Sequence, residues 1–300
     1  TIKHIVLSGG GPSACISYSI MKELEKKSFW KLSDIQSFYS CSSGVYIAVL
    51  LSLGYNWDWM DEFIIKRPWS EVGEIDPEIF MDYINKSGFI DCNWTEKLLS
   101  PLLEGKGLNS DATMKELYDF TKKKLYIYIT NVKSDFEKIV ISAENYPDLP
   151  VYKALHMSMT LPGILVPLCD EKGIYVDGGF LNHYPIADVI NDKDIDKDEV
   201  LGINLCGTIK KYEIESQNNS VKLHELIGNM IMKLINNTNN PDYLFKSILK
   251  YNIRPKVDGF NTIADWYECM YSEEKRIKMI EIGIETANQF LTSVSLNDNK

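Results

Sequence analysis

Two strand–turn–helix units follow one another near the start of the sequence, and this pattern constrains the fold most. The first unit is an apolar run at residues 5–7, a turn of three glycines, and a helical pattern over 13–27. In the second unit, residues 37–39 are strand-like and 45–53 form a nearly all-apolar helical segment. Parallel strands need a crossover between them, which is usually a helix. The two units therefore predict a parallel sheet covered by helices.

The rest of the chain continues this pattern and then becomes helical. Strands are predicted at 125–130, 138–142, 174–176 and 201–205, and a short helix at 151–159. The segment at about 210–295 is helical in pattern, with Ser272 placed to cap its last helix. No repeat or low-complexity linker divides the chain, so we expect one α/β domain over residues 1–300 with a helical C-terminal region.

The charge balance is acidic and argues against several kinds of partner. The 300 residues carry 32 Lys and Arg against 42 Asp and Glu, a net charge of −10 with a pI near 5.0. Such a chain has no general attraction to nucleic acid or to an anionic bilayer. None of the 6 cysteines form a CxxC motif and only 4 histidines are present. We therefore expect no nucleic-acid partner and no zinc ribbon or multi-histidine metal centre.

Apolar sequence is distributed through the chain in short stretches. No run reaches the roughly 18–20 residues that cross a bilayer, and the first residues lack a signal-peptide pattern. We therefore expect a cytoplasmic or soluble protein, with any membrane association peripheral. The aromatic segment at 55–60 follows the second apolar helix, and we interpret it either as core or as a lip that contacts lipid near a site.

Small residues fill the turn of the second unit. Residues 40–44 read Ser-Cys-Ser-Ser-Gly between a predicted strand and an apolar helix. In the Gly-x-Ser-x-Gly pattern such a turn exposes a serine hydroxyl, and counting two back from Gly44 selects Ser42 as the nucleophile. Ser40 stands where the first glycine is expected, and Ser40 and Ser43 are the alternatives if the register differs. In the simplest alternative Ser42 only caps the following helix.

The glycines of the first turn form a candidate anion site. Gly9, Gly10 and Gly11 end a strand and directly precede a helix, so their backbone N–H groups are unobstructed near the positive end of the helix dipole. The anion would be a phosphate or the oxyanion of acyl transfer. Pro12 and Ala14 break the dinucleotide pattern and no Gly-Lys-Ser/Thr follows, which disfavours a nucleotide. A tight turn without a ligand is the alternative.

A third turn carries a carboxylate. Asp177, Gly178 and Gly179 follow the predicted strand at 174–176. Active sites of parallel sheets lie at the carboxyl ends of the strands, and each of the three turns follows a strand. We therefore expect the three turns to meet at one rim of the sheet. Taken alone, an aspartate such as Asp177 is more often the residue of an Asx turn.

Together these motifs resemble the patatin-like phospholipases. The resemblance rests on the strand–Gly-Gly-Gly–helix unit, the small-x-Ser-x-Gly turn and the late Asp-Gly-Gly, and it is supported by the Ser-Met-Thr-Leu-Pro stretch at 158–162. It covers residues 5–186 well and the helical C-terminal part loosely. It implies a three-layer α/β/α fold with a mainly parallel sheet, and hydrolysis of phospholipid or lysophospholipid esters without a metal or organic cofactor. In that family pattern Ser42 matches the nucleophile, Asp177 its general base, and residues 9–11 the glycines whose amides form the oxyanion hole.

The sequence departs from the family pattern around both turns. Ser8 replaces the usual aspartate, Ser13 and Ala14 replace a basic residue and a glycine, and Ser40 replaces the first glycine of the serine turn. A catalytically impaired module that binds lipid or a protein partner is therefore an alternative function.

A Ser-Asp-His triad is the other alternative. His183 lies six residues after Asp177, in the chain order of α/β-hydrolases. The remaining histidines are His4, His156 and His224. The dyad needs none of them, and under it His183 is a neighbouring polar or structural residue.

Overall fold

A computed structural model of the protein describes residues 1–69, 83–133, 135–205, 230–231, 233–234, 249–255, 268–269 and 271–298. The strands are β1 (His4–Leu7), β2 (Ser37–Cys41), β3 (Lys124–Asn131), β4 (Glu137–Ile141), β5 (Leu168–Cys169), β6 (Ile174–Asp177), β7 (Val200–Ile203) and β8 (Tyr251–Ile253). The helices are α1 (Ala14–Lys26), α2 (Ser43–Ser52), α3 (Trp57–Lys66), α4 (Tyr83–Lys86), α5 (Cys92–Glu104), α6 (Met114–Thr121), α7 (Val151–Met159), α8 (Gly179–Asn182), α9 (Ile186–Asn191) and α10 (Glu273–Asp298). Short 3-10 turns occupy Gly11–Ser13, Leu32–Asp34 and Lys197–Glu199.

The strands form one mixed sheet. β1 pairs in parallel with β2 and β7, and β3 and β8 extend the parallel part on either side. β4 and β6 both pair antiparallel with β3, and β5 pairs antiparallel with β6. The predicted α/β fold with a mainly parallel sheet is confirmed, since five strands run the same way.

The direction of β6 differs from the one that the sequence predicts. Asp177 was expected at the carboxyl end of a parallel strand, but β6 is antiparallel to β3. Residues 127–128 of β3 pair with both β2 and β4, and residues 129–131 pair with both β4 and β6. A strand has two edges, and β4 occupies one edge of β3 along residues 127–131. β2 and β6 therefore both lie on the other edge of β3, where they run toward each other. Their carboxyl ends meet where Cys41 pairs with Tyr128 and Asp177 with Ile129.

Helices cover both faces of the sheet. Ile5 and Leu7 belong to a core shared with α1, α2, α5 and α7, whereas Val6 between them belongs to a second core shared with α9. This follows from the alternation of side chains along a strand. All residues of α2 are buried, as its nearly all-apolar sequence requires. The three-layer α/β/α arrangement implied by the resemblance is confirmed.

α10 packs along α1. Gly283 permits the close approach, because a Cβ at this position would lie 2.6 Å from the carbonyl oxygen of Ile16. The Ser272 hydroxyl accepts from the Lys275 N–H at 3.2 Å, which confirms the predicted cap.

The prediction that residues 210–295 are helical is confirmed for α10 at the end of this segment. It is wrong for Tyr251–Ile253, which form the strand β8. Three residues beside β7 carry too short a pattern to be told from helix by periodicity. Within that segment, residues 210–229, 232, 235–248, 256–267 and 270 lie outside the described part of the chain.

Candidate active site

Ser42 lies on a sharp turn between β2 and α2. Its backbone angles, φ 53° and ψ −133°, fall in a region that residues with a side chain rarely adopt. A Cβ at Gly44 would lie 2.6 Å from the carbonyl oxygen of Ser8 and 2.8 Å from that of Leu7. Glycine at this position therefore lets α2 pack directly behind the end of β1, as in a nucleophile turn.

The two alternative serines lie in regular elements. Ser40 is inside β2, and Ser43 is the first residue of α2. Both are buried, and neither hydroxyl has a hydrogen-bond partner in the described part of the chain. The left-handed backbone of Ser42 distinguishes it from both neighbours.

A buried hydroxyl fixes the Ser42 turn from the opposite side. The Ser42 N–H donates to Ser158 Oγ at 2.8 Å, and the Ser158 hydroxyl donates to the Tyr128 carbonyl oxygen at 2.7 Å. The turn is thereby tied to both α7 and β3. The sequence places Ser158 in the stretch before Asp177 but does not indicate a role for it, because a serine in an apolar helix carries no spacing signal.

Gly9 lies between Ser42 and His183. A Cβ at this position would be 2.7 Å from Ser42 Cβ and 2.8 Å from His183 Cε1. The Gly9 N–H donates to the His183 carbonyl oxygen at 3.4 Å. Within the described residues the N–H groups of Gly10 and Gly11 have no acceptor, and both stand at the start of the helical segment that leads into α1. The loop thus offers two unpartnered donors beside the serine turn.

Asp177 is a buried carboxylate that accepts several hydrogen bonds. Its Oδ1 accepts from the Gly179 N–H at 2.7 Å and from the Cys41 thiol at 3.6 Å. Burial raises the pKa of Asp177 to about 6, while hydrogen bonds from the Ser42 hydroxyl, the Gly179 N–H and the Cys41 thiol act in the opposite direction. Gly178 has no room for a side chain, since a Cβ would lie 2.6 Å from the Tyr128 carbonyl carbon.

Two histidines have structural partners away from the serine turn. The His4 Nδ1 lies 2.7 Å from Ser37 Oγ, where β1 and β2 begin. His156 is fully buried, with Nδ1 2.8 Å from Thr95 Oγ1 and Nε2 2.8 Å from the Val166 carbonyl oxygen. Both rings connect secondary-structure elements.

His183 is the described histidine that reaches the site. Its ring packs on Gly9, and burial lowers its pKa to about 4 against a hydrogen bond with the Gly9 backbone. His183 is not among the groups that shift the pKa of Asp177, and Asp177 is not among the groups that shift the pKa of His183. His224 lies outside the described residues.

A cavity of about 250 Å³ opens beside Ser42. Helices and the loop after α7 supply its walls, which are almost wholly apolar and include Ile47, Trp94, Leu98, Met159, Ile164 and Met279. Arg276 also lies in the wall, but its guanidinium donates to the carbonyl oxygens of Ile65 at 2.7 and 3.0 Å and of Cys269 at 2.9 Å. The space therefore suits a long apolar group.

The aromatic segment at 55–60 does not line this cavity; Ile64 and Trp69, farther along the chain, do. In the described residues no helix combines the length and apolar character needed to cross a bilayer. Nor do three His, Cys, Asp or Glu side chains come together in that part of the chain as metal ligands would.

Comparison with known proteins identifies the family. The sequence model described as patatin-like phospholipase matches residues 5–190, more than half of the chain. The chain belongs to the patatin-like phospholipase family. At the level of the family it is thereby assigned to the lipid hydrolases, which are ester hydrolases. The match includes Gly9, Ser42 and Asp177 and ends well before α10.

Two viral proteins are similar to this patatin-like chain. An uncharacterized protein of Acanthamoeba polyphaga mimivirus is 24% identical over 294 residues, which cover 96% of this chain and 93% of the relative. A probable lipid hydrolase of Invertebrate iridescent virus 6 is 28% identical over 184 residues, which cover 61% of this chain and 62% of the relative. The chain thus spans less than two thirds of the second relative.

Two solved structures share the patatin-like fold. VipD from Legionella pneumophila matches with a TM-score of 0.55 at 17% identity, over 97% of this chain and 67% of that one. The type III effector protein ExoU from Pseudomonas aeruginosa matches with a TM-score of 0.50 at 14% identity, over 98% of this chain and 54% of that one. At these identities the likeness shows the fold alone.

Proposed function

We propose that this chain hydrolyses the ester bonds of phospholipids or lysophospholipids with a Ser42–Asp177 dyad. The observation that carries the proposal is the meeting of β2 and β6 on one edge of β3, which brings a strained serine turn to a buried carboxylate. The Ser42 hydroxyl is among the groups that lower the pKa of that carboxyl against burial. A serine hydroxyl that lies close to a carboxylate can transfer its proton to it.

The reaction follows from this arrangement. Ser42 Oγ attacks the ester carbonyl carbon while its proton passes to the Asp177 carboxylate. The tetrahedral intermediate collapses, the alcohol leaves with the proton from Asp177, and the acyl group remains on Ser42. Water then attacks the acyl-enzyme and gives a proton to Asp177, which returns it to Ser42 as the fatty acid departs. A pKa of about 6 makes Asp177 a stronger base than an ordinary aspartate while leaving it ionised at neutral pH.

We assign the oxyanion donors to the N–H groups of Gly10 and Gly11. Neither has an acceptor in the described part of the chain. Gly9 was predicted as a third donor, but its N–H is directed to the His183 carbonyl. Its contribution is the space it leaves for the Ser42 side chain. Backbone donors do not depend on the basic residue that Ser13 replaces, so its absence leaves this part of the machinery in place.

The apolar cavity beside Ser42 favours the acyl chain as the part of the substrate that the protein binds. Its walls are apolar, and the charge of Arg276 is turned to backbone carbonyls. An acyl chain in the cavity would place its ester carbonyl near Ser42 and leave the head group outside, where contact with a membrane surface would be peripheral.

The direct test measures ester and phospholipid hydrolysis together with covalent labelling by a fluorophosphonate. We expect wild type and Ser43→Ala to be labelled and active, and Ser42→Ala to be neither. Labelling that survives in Ser42→Ala would assign the nucleophile elsewhere. Binding of lipid without turnover by the wild-type chain, over a broad set of esters, would favour the impaired binding module.

A further inference from the structure

Ser8 and His183 both contact the Gly9 backbone. The Ser8 hydroxyl donates to the Gly9 carbonyl oxygen at 3.0 Å and accepts from the Leu205 N–H at 2.8 Å. The Gly9 N–H donates to the His183 carbonyl oxygen at 3.4 Å. The His183 ring packs on Gly9, with Nδ1 3.2 Å from the place of a Cβ atom. Both side chains are buried, so these contacts are shielded from water.

The bond to the Gly9 carbonyl determines where the next N–H points. In a trans peptide the C=O and N–H of one unit point in opposite directions. With its carbonyl held by Ser8, this peptide directs the Gly10 N–H away from Ser8. A peptide between two glycines meets little steric resistance to rotation, because neither residue has a Cβ. Rotation would place a carbonyl oxygen where the oxyanion needs a donor, and a misplaced dipole of this kind opposes the transition state.

We propose that Ser8 and His183 are positioning residues that lock the Gly9–Gly10 peptide so that its N–H is available to the oxyanion. This lock rests on the proposed Ser42 chemistry and extends it to two residues that do not touch the substrate. It also gives a role to Ser8, which stands where the family pattern has aspartate. A hydroxyl can donate to Gly9 and accept from Leu205 at once, whereas an ionised carboxylate only accepts.

The pKa values of His183 and Asp177 agree with a neutral His183 ring in this lock. Burial lowers the pKa of His183 to about 4, whereas it raises the pKa of Asp177 to about 6. At any pH where Asp177 is ionised, His183 is therefore neutral and carries one ring N–H. The hydrogen bond between the ring and the Gly9 backbone is consistent with that N–H as the donor.

The test compares variants that remove the lock with variants that keep it. Ser8→Ala removes the hydroxyl, His183→Phe keeps a ring but no donor, and His183→Asn keeps an amide donor. Ser52→Ala is the matched control, because the Ser52 hydroxyl is also buried and donates to a carbonyl, that of Val49, at 2.8 Å. All turnover numbers are taken per serine titrated by a fluorophosphonate, so that misfolded protein is not counted.

We expect Ser8→Ala and His183→Phe each to lower kcat by about tenfold with little change in KM, less than the loss of a whole oxyanion donor. An alkyl trifluoromethyl ketone, which forms an oxyanion on the serine, should bind more weakly in the same proportion. His183→Asn and Ser52→Ala should stay near wild type.

Two results would overturn the lock. One is unchanged kcat and unchanged ketone affinity in both Ser8→Ala and His183→Phe. The other is an equal, near-complete loss in His183→Asn and His183→Phe, which would identify the ring as a base in a triad. Failure of the proposed function looks different, because wild type would then not be labelled at all.

Discussion

The rim formed by residues 9–11, Ser42 and Asp177, to which we assign the proposed chemistry, and the apolar cavity beside it are built in different ways. The rim comes from turns at strand ends inside the family match of 5–190, and backbone atoms supply much of its geometry. Side chains of helices supply most of the cavity wall, and Met279 comes from the C-terminal part outside that match. We therefore expect the chemistry of the rim and the selectivity for acyl chains to be separable, because side chains of the cavity wall can change in size without moving the rim.

The largest effect expected from the rim alone is that of Asp177→Asn. The amide keeps the shape of the carboxylate but cannot take the serine proton, so kcat should fall by about 10³-fold or more. Binding of a fluorescent fatty acid in the cavity should be unchanged, which separates rim from cavity. Asp170→Asn is the control, because Asp170 is an exposed carboxylate on the turn between β5 and β6. An Asp177→Asn enzyme within tenfold of wild type would contradict the dyad.

The same substitution should stabilise the protein at neutral pH. The folded pKa of Asp177, about 6, lies above its ordinary value of 3.8, so the folded state holds the proton more tightly than the unfolded state. The carboxylate therefore costs stability that is absent below about pH 4 and grows until the pH passes about 6. At pH 8 Asp177→Asn should raise the free energy of unfolding by about 2 kcal/mol more than it does at pH 4. Urea denaturation at the two pH values measures this difference, and equal changes would refute it.

Narrowing the cavity should change selectivity and leave the rim intact. Ile164→Trp places a larger side chain in the wall, so activity on long acyl esters should fall by about tenfold relative to butyryl esters. Ile195→Trp is the matched control, because Ile195 is also partly buried but lies outside the cavity. Rates across a series of acyl lengths are the measurement, and a uniform loss at every length would show that the wall and the rim are not separable.

The smallest expected effect is on the pH profile. Asp177 must be ionised to act as a base, so kcat/KM should rise with pH and level off above about 6. Cys41→Ala removes a hydrogen bond that lowers this pKa, and the inflection should move up by a few tenths of a unit. Cys92→Ala, a thiol on α5, should leave it in place. An inflection that moves down would contradict the assigned direction of the thiol bond.

Local features of the sequence could predict the turns but not how they meet. The glycines and the small residues around Ser42 determine the local backbone over only a few positions. Their spacing in the sequence is therefore enough to predict a tight turn. The antiparallel course of β6 depends on pairing between residues far apart in the chain, such as Asp177 with Ile129, and no local pattern encodes it. For that reason the expected rim was found with a different strand direction.

Partners of the rim were missed for the same reason. Ser158 and Cys41 each act through hydrogen bonds with residues distant in sequence. A single serine or cysteine carries no periodicity, so the sequence gives no signal for its role. His183 was expected as a neighbour of the site because it follows Asp177 closely, but its contact with Gly9 could not be predicted. β8 was missed because three residues are too few to establish any pattern.

The packing of α10 along α1 has a consequence for synthesis of the protein. Translation produces the residues of the rim first and residues 273–298 much later, yet Arg276 and Met279 of α10 form part of the cavity wall. During synthesis the serine turn is therefore made before the cavity wall can be complete. Under the proposed function, we expect efficient lipid hydrolysis only once α10 has been made and has docked on α1.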